Sequence, residues 1–210
     1  MSIGTPIEAV LFDADGVVQT PGAGWRPALE ALCGVPGQVE AFLEDLFAAE
    51  RPCLTGDEDF EAALAGVLAR WRSTATVSEA LRAWELIEPQ ESVLAFVDGL
   101  RAQGTLVGLA TNQQSLRAEY MLEVLGFERR FDALFVSCRI GHMKPGTGFF
   151  EHARKALDLP GSAVLFIDDH PQNVAAARDS GFNAEVYDLS TGPEGMDALL
   201  QGYGLMAGGR

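Results

Sequence analysis

The segment Ala9-Val10-Leu11-Phe12 runs without a break into Asp13-Ala14-Asp15-Gly16. Four apolar residues with no alternation describe a strand covered on both faces, which in a soluble chain means a parallel sheet flanked by helices. Strands of such sheets end in a crevice at their carboxyl edge, where open α/β sheets place ligands. Two carboxylates set there repel each other and stay together only with a cation or a shared proton. Gly16 lets the backbone leave the strand sharply. The segment thus constrains both the architecture and the chemistry.

The rest of the chain supplies matching strands at Leu106–Ala110, Leu134–Ser137 and Val164–Ile167, with a short one at Ala184–Tyr187. Helical patterns such as Ser92–Gln103 and Thr147–Leu157 lie between them. This alternation predicts an α/β fold with a doubly wound, Rossmann-like parallel sheet. The first crossover is too long for an ordinary loop. It carries amphipathic patterns at Val39–Phe47 and Asp59–Arg72, no convincing strand, and capping-box spacings at Thr55/Glu58 and Thr76/Glu79. Residues 1–18 and 91–210 are therefore expected to form the core and 19–90 an inserted α-helical subdomain. An insert that follows the acidic loop directly is placed to act as a lid that excludes water.

A net charge of −15 disfavours phosphate backbones, which excludes nucleic acid as a natural partner. Three scattered cysteines, Cys33, Cys53 and Cys138, form neither a disulfide framework nor a zinc site, so a reducing cytoplasm is expected. No apolar run is long enough to span a membrane, and Met1–Pro6 lacks the basic and apolar regions of a leader. The tail Ala207–Arg210 is expected to fray. Oligomeric state is left open.

Each of the first four strands ends in polar residues. The first ends in Asp13 and Asp15, the second in Thr111-Asn112-Gln113, and the fourth in Asp168-Asp169. The third leads into Ile140-Gly141-His142-Met143-Lys144-Pro145. Carboxylates from two strands make a hard oxygen cage suited to Mg²⁺. Lys144, the Thr111 hydroxyl and free amides opening the helix after it would balance and hold a phosphate. One carboxylate is then free to attack phosphorus and form an aspartyl-phosphate.

These motifs, in this order, resemble the haloacid dehalogenase (HAD) superfamily of hydrolases, with its first-type helical cap inserted after the first strand. The resemblance rests on Asp13-Ala14-Asp15-Gly16-Val17, on Thr111-Asn112, on Lys144-Pro145, and on Asp168-Asp169 in the run Val164 to Asn173. It implies that Asp13 is the nucleophile and a Mg²⁺ ligand. It implies that Asp15 is the general acid, then the base for water, with its main-chain carbonyl on the metal. Thr111, Asn112 and neighbouring amides would hold phosphoryl oxygens, and Lys144 would screen charge. Asp169 would be the direct metal ligand of its pair, with Asp168 close behind. The pattern departs at Asn173, where many members carry an acid. Dehalogenases of the superfamily lack the second acid of the first box, so Asp15 favours a phosphatase acting on a small phosphorylated metabolite. A phosphomutase, a 2-haloacid dehalogenase and a phospho-accepting signalling module are the alternatives.

Other chemistry-bearing residues are weaker candidates. His152 and His170 are expected on the surface, His142 in a structural role near Lys144, and Trp71 and Trp84 in a core. Trp25 and Arg26 follow the acidic loop and are as well suited to packing as to substrate.

Overall fold

A computed structural model describes residues 5–206. The expected frayed tail lies outside the described residues. The strands are β1 (Ala9–Phe12), β2 (Gln19–Pro21), β3 (Ile87–Pro89), β4 (Leu106–Thr111), β5 (Ala133–Val136), β6 (Val164–Asp168) and β7 (Asn183–Val186). Five of them form a parallel sheet in the order β5-β4-β1-β6-β7. The doubly wound α/β sheet expected from the sequence is present, with strand bounds shifted by about one residue, within the usual scatter of assignment.

β1 is the central strand, and its side chains are at most 1% exposed. Its neighbours explain why the run Ala9–Phe12 is apolar at every position. Val10 and Phe12 face one layer with Val97, Leu100, Met121 and Leu200. Ala9 and Leu11 face the other with Phe149, Phe150, Phe166 and Val174. Phe150 alone makes edge contacts with Phe149, Phe166 and Phe182, at centroid distances of 5.6, 5.4 and 5.8 Å. Each such buried ring contributes about 2–3 kcal/mol through burial. One of these rings, Phe166, lies 5.1 Å from the Lys144 ammonium at the carboxyl edge of the sheet.

Register sets that edge. Phe12 pairs with Leu109 on β4 and Ile167 on β6, so Asp13 and Asp168 emerge level with one another. The strand order reverses direction across β1, which makes its carboxyl end the switch-point crevice.

Between β1 and β4 the chain builds a helical segment. Its helices are Trp25–Glu30, Val39–Glu50, Phe60–Arg70 and Val77–Leu81, joined by 3₁₀ turns at Arg51–Thr55 and Arg82–Glu85. It has its own apolar cluster, with Leu29, Phe42, Leu46, Leu64, Val67 and Trp84 buried. Trp84 packs edge-on to Phe60 at 4.9 Å, and Trp71 edge-on to Phe42 at 5.8 Å.

Two expectations for this segment are corrected. Its two ends do contain strands: β2 and β3 pair antiparallel, Gln19 opposite Pro89 and Pro21 opposite Ile87. Three residues each, with proline at their ends, are too short to show alternation. The second correction concerns Thr55, which does not cap the helix 60–70. Its hydroxyl bonds Asp57 and the Pro52 carbonyl within a 3₁₀ turn, while Asp59 caps the helix by accepting from Ala62 N at 2.8 Å. The Thr76/Glu79 box forms in both directions. Among the described residues no helix is long and apolar enough to cross a membrane.

Candidate active site

A cavity of about 370 Å³ opens at the carboxyl edge of β1, β4 and β6. Asp13, Asp15, Thr111, Asn112, Lys144 and Asp169 line it, with Gly16, Thr20, Pro21, His170 and Asn173. The structure thus brings the sequence-predicted residues together, with Asp168 fully buried beneath them.

Lys144 is the hub. Its ammonium lies 2.8 Å from Asp13 Oδ1 and 2.6 Å from Asp168 Oδ2, and 5.1 Å above the centre of the Phe166 ring. Burial by itself would push the lysine down, but the two carboxylates outweigh it and hold the group above its ordinary value. The Lys144 main chain is fixed by Asn112. The Asn112 side chain donates to the Lys144 carbonyl at 2.8 Å and accepts from Lys144 N at 2.9 Å. Each polar end of that side chain thus makes one bond to the lysine loop, which fixes its direction at the cavity wall.

Asp13 follows β1, its N–H bonded to the Ile167 carbonyl, and its Oδ1 also accepts from Ala14 N at 2.6 Å. Burial pushes its carboxyl up to about 7. Lys144 opposes that rise and Asp168 adds to it. Asp168 is fully engaged by protein. It accepts from Lys144, from His170 N at 2.8 Å, and from Asn173 Nδ2 at 3.1 and 3.0 Å. The departure at Asn173 thus has a physical counterpart: an amide there donates to Asp168, where a carboxylate would repel it.

Asp169 is different. Its Oδ1 is buried with no hydrogen-bond partner. Burial raises its carboxyl above the ordinary value, partly offset by His170. Gly16 adopts φ +81°, and a Cβ at that position would come within 2.4 Å of Asp169 Oδ2. Only glycine satisfies both demands. Oxygens of Asp13, Asp168 and Asp169 lie within 4.8 Å of one another. An orphaned carboxylate oxygen in a cluster of hard oxygen donors fits a divalent cation such as Mg²⁺.

Asp15 sits in a cage of donors. Arg117 grips it with two bonds, Nη1 to Oδ2 and Nη2 to Oδ1, both 2.8 Å. Gln113 Nε2 donates to Oδ2 at 2.7 Å and Gln19 Nε2 to Oδ1 at 3.0 Å. Burial works to raise this carboxyl, but the Arg117 charge and the donated bonds prevail and hold it below the ordinary value. Gln113 Nε2 also reaches Thr111 Oγ1 at 3.2 Å, tying the hydroxyl at the end of β4 into the same network.

The helix Ser115–Glu119 does not present the free amides expected of it. The Gln114 side chain caps it, taking Leu116 N at 2.7 Å and Arg117 N at 3.3 Å. Trp25 and Arg26 lie away from the cavity. Arg26 pairs with Glu30 and Glu40 on the surface, and Trp25 stacks near Phe47. His152 and His170 are exposed, as expected, with His170 at the cavity rim; His142 is exposed as well.

Sequence reasoning missed Arg117, Gln19 and the half-buried Glu50. One signal for Arg117 was available. The clustered acids outnumber Lys144, and Arg117 is the first cation after β4, one helical turn beyond Gln113.

Known proteins resemble the chain. Sesquiterpene phosphatase astK of Aspergillus oryzae is 30% identical over 95 residues, 45% of this chain and 48% of that protein. Pyrophosphatase PpaX of Bacillus mycoides is 25% identical over 97 residues, 46% of this chain and 45% of that protein. The chain thus spans about half the length of these two relatives. A HAD family enzyme of Bacteroides thetaiotaomicron has the same fold, with TM-score 0.74 at 15% identity over 87% of this chain and 94% of that one. The same enzyme solved with magnesium and inorganic phosphate aligns with TM-score 0.70 at 16% identity, over 86% and 93% of the two chains. A family model described as haloacid dehalogenase-like hydrolase matches residues 7–181. The chain belongs to the haloacid dehalogenase-like hydrolases.

Proposed function

We propose that this chain is a Mg²⁺-dependent phosphatase that hydrolyses a small phosphorylated metabolite through an aspartyl-phosphate on Asp13. The observation that carries the reading is the pairing of Asp13, buried against Lys144, with Asp15, a second carboxylate facing the same cavity. A single acid would suffice for a nucleophile. Two carboxylates at one cavity leave one for attack and the other for proton transfer.

Asp13, Asp169 and the Asp15 main-chain carbonyl would hold the cation, with Asp168 supporting it from behind. When bound, Mg²⁺ supplies Lewis-acid neutralisation of the phosphoryl oxygens and of the clustered acids. Asp13 attacks phosphorus. Its oxygen–phosphorus bond forms as the bond to the leaving oxygen breaks, and Asp15 delivers a proton to that oxygen. Asp15, now a carboxylate, takes a proton from a water that attacks the same phosphorus, and the Asp13–phosphorus bond breaks. Phosphate leaves with Asp15 protonated again; because Arg117 and the donated bonds hold this carboxyl below its ordinary value in the empty site, the cycle requires Asp15 to take up its first proton with the substrate. Lys144 screens the charge between nucleophile and phosphoryl group, and Thr111 with neighbouring main-chain amides holds phosphoryl oxygens.

The insert at residues 19–90 is the cap in this reading, with the β2–β3 ribbon at its base as a two-stranded hinge. Closure would shield the aspartyl-phosphate from bulk water. The cytoplasm is the proposed compartment, in keeping with three unpaired cysteines. Support for phosphate chemistry comes from the phosphatase and pyrophosphatase among the relatives.

The test is a screen of phosphorylated metabolites with Mg²⁺, run on the wild type and on Asp13→Asn. Sugar phosphates, nucleotides, phosphoglycolate and flavin phosphates belong in the panel. Turnover that vanishes in the variant and with chelator supports the reading. Turnover that persists in Asp13→Asn sinks it.

A further inference from the structure

The Asp15 carboxylate has about four lone-pair positions, and protein donors meet all of them. Two of the four come from one guanidinium. A planar fork with both bonds at 2.8 Å fixes the direction of the carboxylate plane, which a point charge cannot do. The fork is itself held. Arg117 Nη1 donates to Gln113 Oε1 at 3.1 Å, and the Arg117 main chain is capped by Gln114. Gln113 N is anchored on Ser137 Oγ at 2.9 Å. The Arg117 side chain is only 14% exposed. Next to it, Leu116 packs against the apolar cluster of the helical segment.

We propose that Arg117 is a positioning residue for Asp15, setting the carboxylate where it can serve both proton transfers. The inference rests on the acid/base role given to Asp15 above. Both transfers use one carboxylate at one place: the proton goes first to the leaving oxygen and is then recovered from the attacking water. Displacement of such a group by about 1 Å costs on the order of 10²-fold in rate. Proton transfer also needs one lone-pair position vacated. The longest of the four bonds, 3.0 Å from Gln19, can open without disturbing the fork. Gln19 lies on β2 in the ribbon that leads into the helical segment, so that bond is tied to the ribbon's position.

The experiment compares Arg117→Met, Arg117→Lys and Asp15→Asn with the wild type. It uses an aryl phosphate, whose leaving group departs without a proton, and an alkyl phosphate, whose leaving group needs one. Urea denaturation confirms that each protein is folded. Asp15→Asn is expected to lose more on the alkyl than on the aryl substrate. Arg117→Met should reproduce that asymmetry, with kcat on the alkyl substrate down about 10²-fold and KM little changed. Arg117→Lys keeps the charge without the fork and should recover only part of the loss. Equal losses on both substrates, no loss, or a gain in kcat for a folded Arg117 variant would overturn the positioning role, and the Asp15 reading would stand. An Asp15→Asn variant without the asymmetry would instead remove the acid/base assignment on which the inference depends.

Discussion

Replacing Lys144 by Met separates charge from packing at the centre of the site. Met keeps most of the apolar stem of lysine, so the cavity left behind is small. What is lost is the ammonium that lies 2.8 Å from Asp13 and 2.6 Å from Asp168. The side chains are 1% exposed for Lys144, 8% for Asp13 and 0% for Asp168, so water cannot replace it. Breaking a buried ion pair from one side costs about 3–5 kcal/mol. In chelator at about pH 8, Lys144→Met should therefore lose about that much stability. The loss should shrink as the pH falls. Burial already pushes Asp13 up to about 7, and removing Lys144 takes away the chief influence opposing that rise. The folded variant then keeps protons that the unfolded chain has released, so its stability falls as pH rises. Urea denaturation of both proteins at about pH 8 and about pH 5.5 measures the gap, with constant m confirming two-state comparison. A gap of the same size at both pH values would show that lysine is held for packing and refute the electrostatic account.

Two further perturbations test the surroundings of the site. Burial pushes the Glu50 carboxyl up to about 7, against a hydrogen bond from Trp84 Nε1 at 2.8 Å. The folded chain then retains a proton that the unfolded chain loses near 4.5. Stability from this group is complete below that value and is lost as pH rises through about 7. Glu50→Gln keeps an acceptor for Trp84 and should stabilise the protein by up to about 3 kcal/mol at about pH 8, and by little at about pH 4.5, in thermal or urea unfolding. Equal stability at the higher pH would contradict the shift. Gly16→Ala forces a Cβ against Asp169 Oδ2 at φ +81°. It should cost about 1–3 kcal/mol and weaken Mg²⁺ binding measured by calorimetry. Unchanged affinity would show that Asp169 is not where the cation binds.

The residues that announce themselves in the sequence are those whose environment is set by the sheet. Ala9–Phe12 is apolar because β1 has a layer on each face, and Asp13 and Asp168 converge because β1 and β6 share register. A run of residue types reports both facts directly. The β2–β3 ribbon left no such trace, since three residues ending in proline carry no period. The cap of helix 60–70 went to Asp59 rather than Thr55 because the chain continues from helix 39–50 into a 3₁₀ turn that absorbs the threonine. Gln114 filled the amides that helix Ser115–Glu119 was expected to leave open. Arg117 and Gln19 reach Asp15 from 102 and 4 residues away. Their roles arise from side-chain directions fixed only once the sheet, the ribbon and the helix have packed. What the sequence pattern conceals here is the support of the acids rather than the acids themselves.

The central claim is that phosphorus is transferred to Asp13. The direct test is acid quenching during turnover of a substrate carrying labelled phosphate, followed by proteolysis and identification of the labelled peptide. With Mg²⁺ present, the account predicts label on the peptide containing Asp13, absent with chelator and absent in Asp13→Asn. Substrate turnover with no protein-bound phosphate at any quench time, together with an active Asp13→Asn variant, would contradict it.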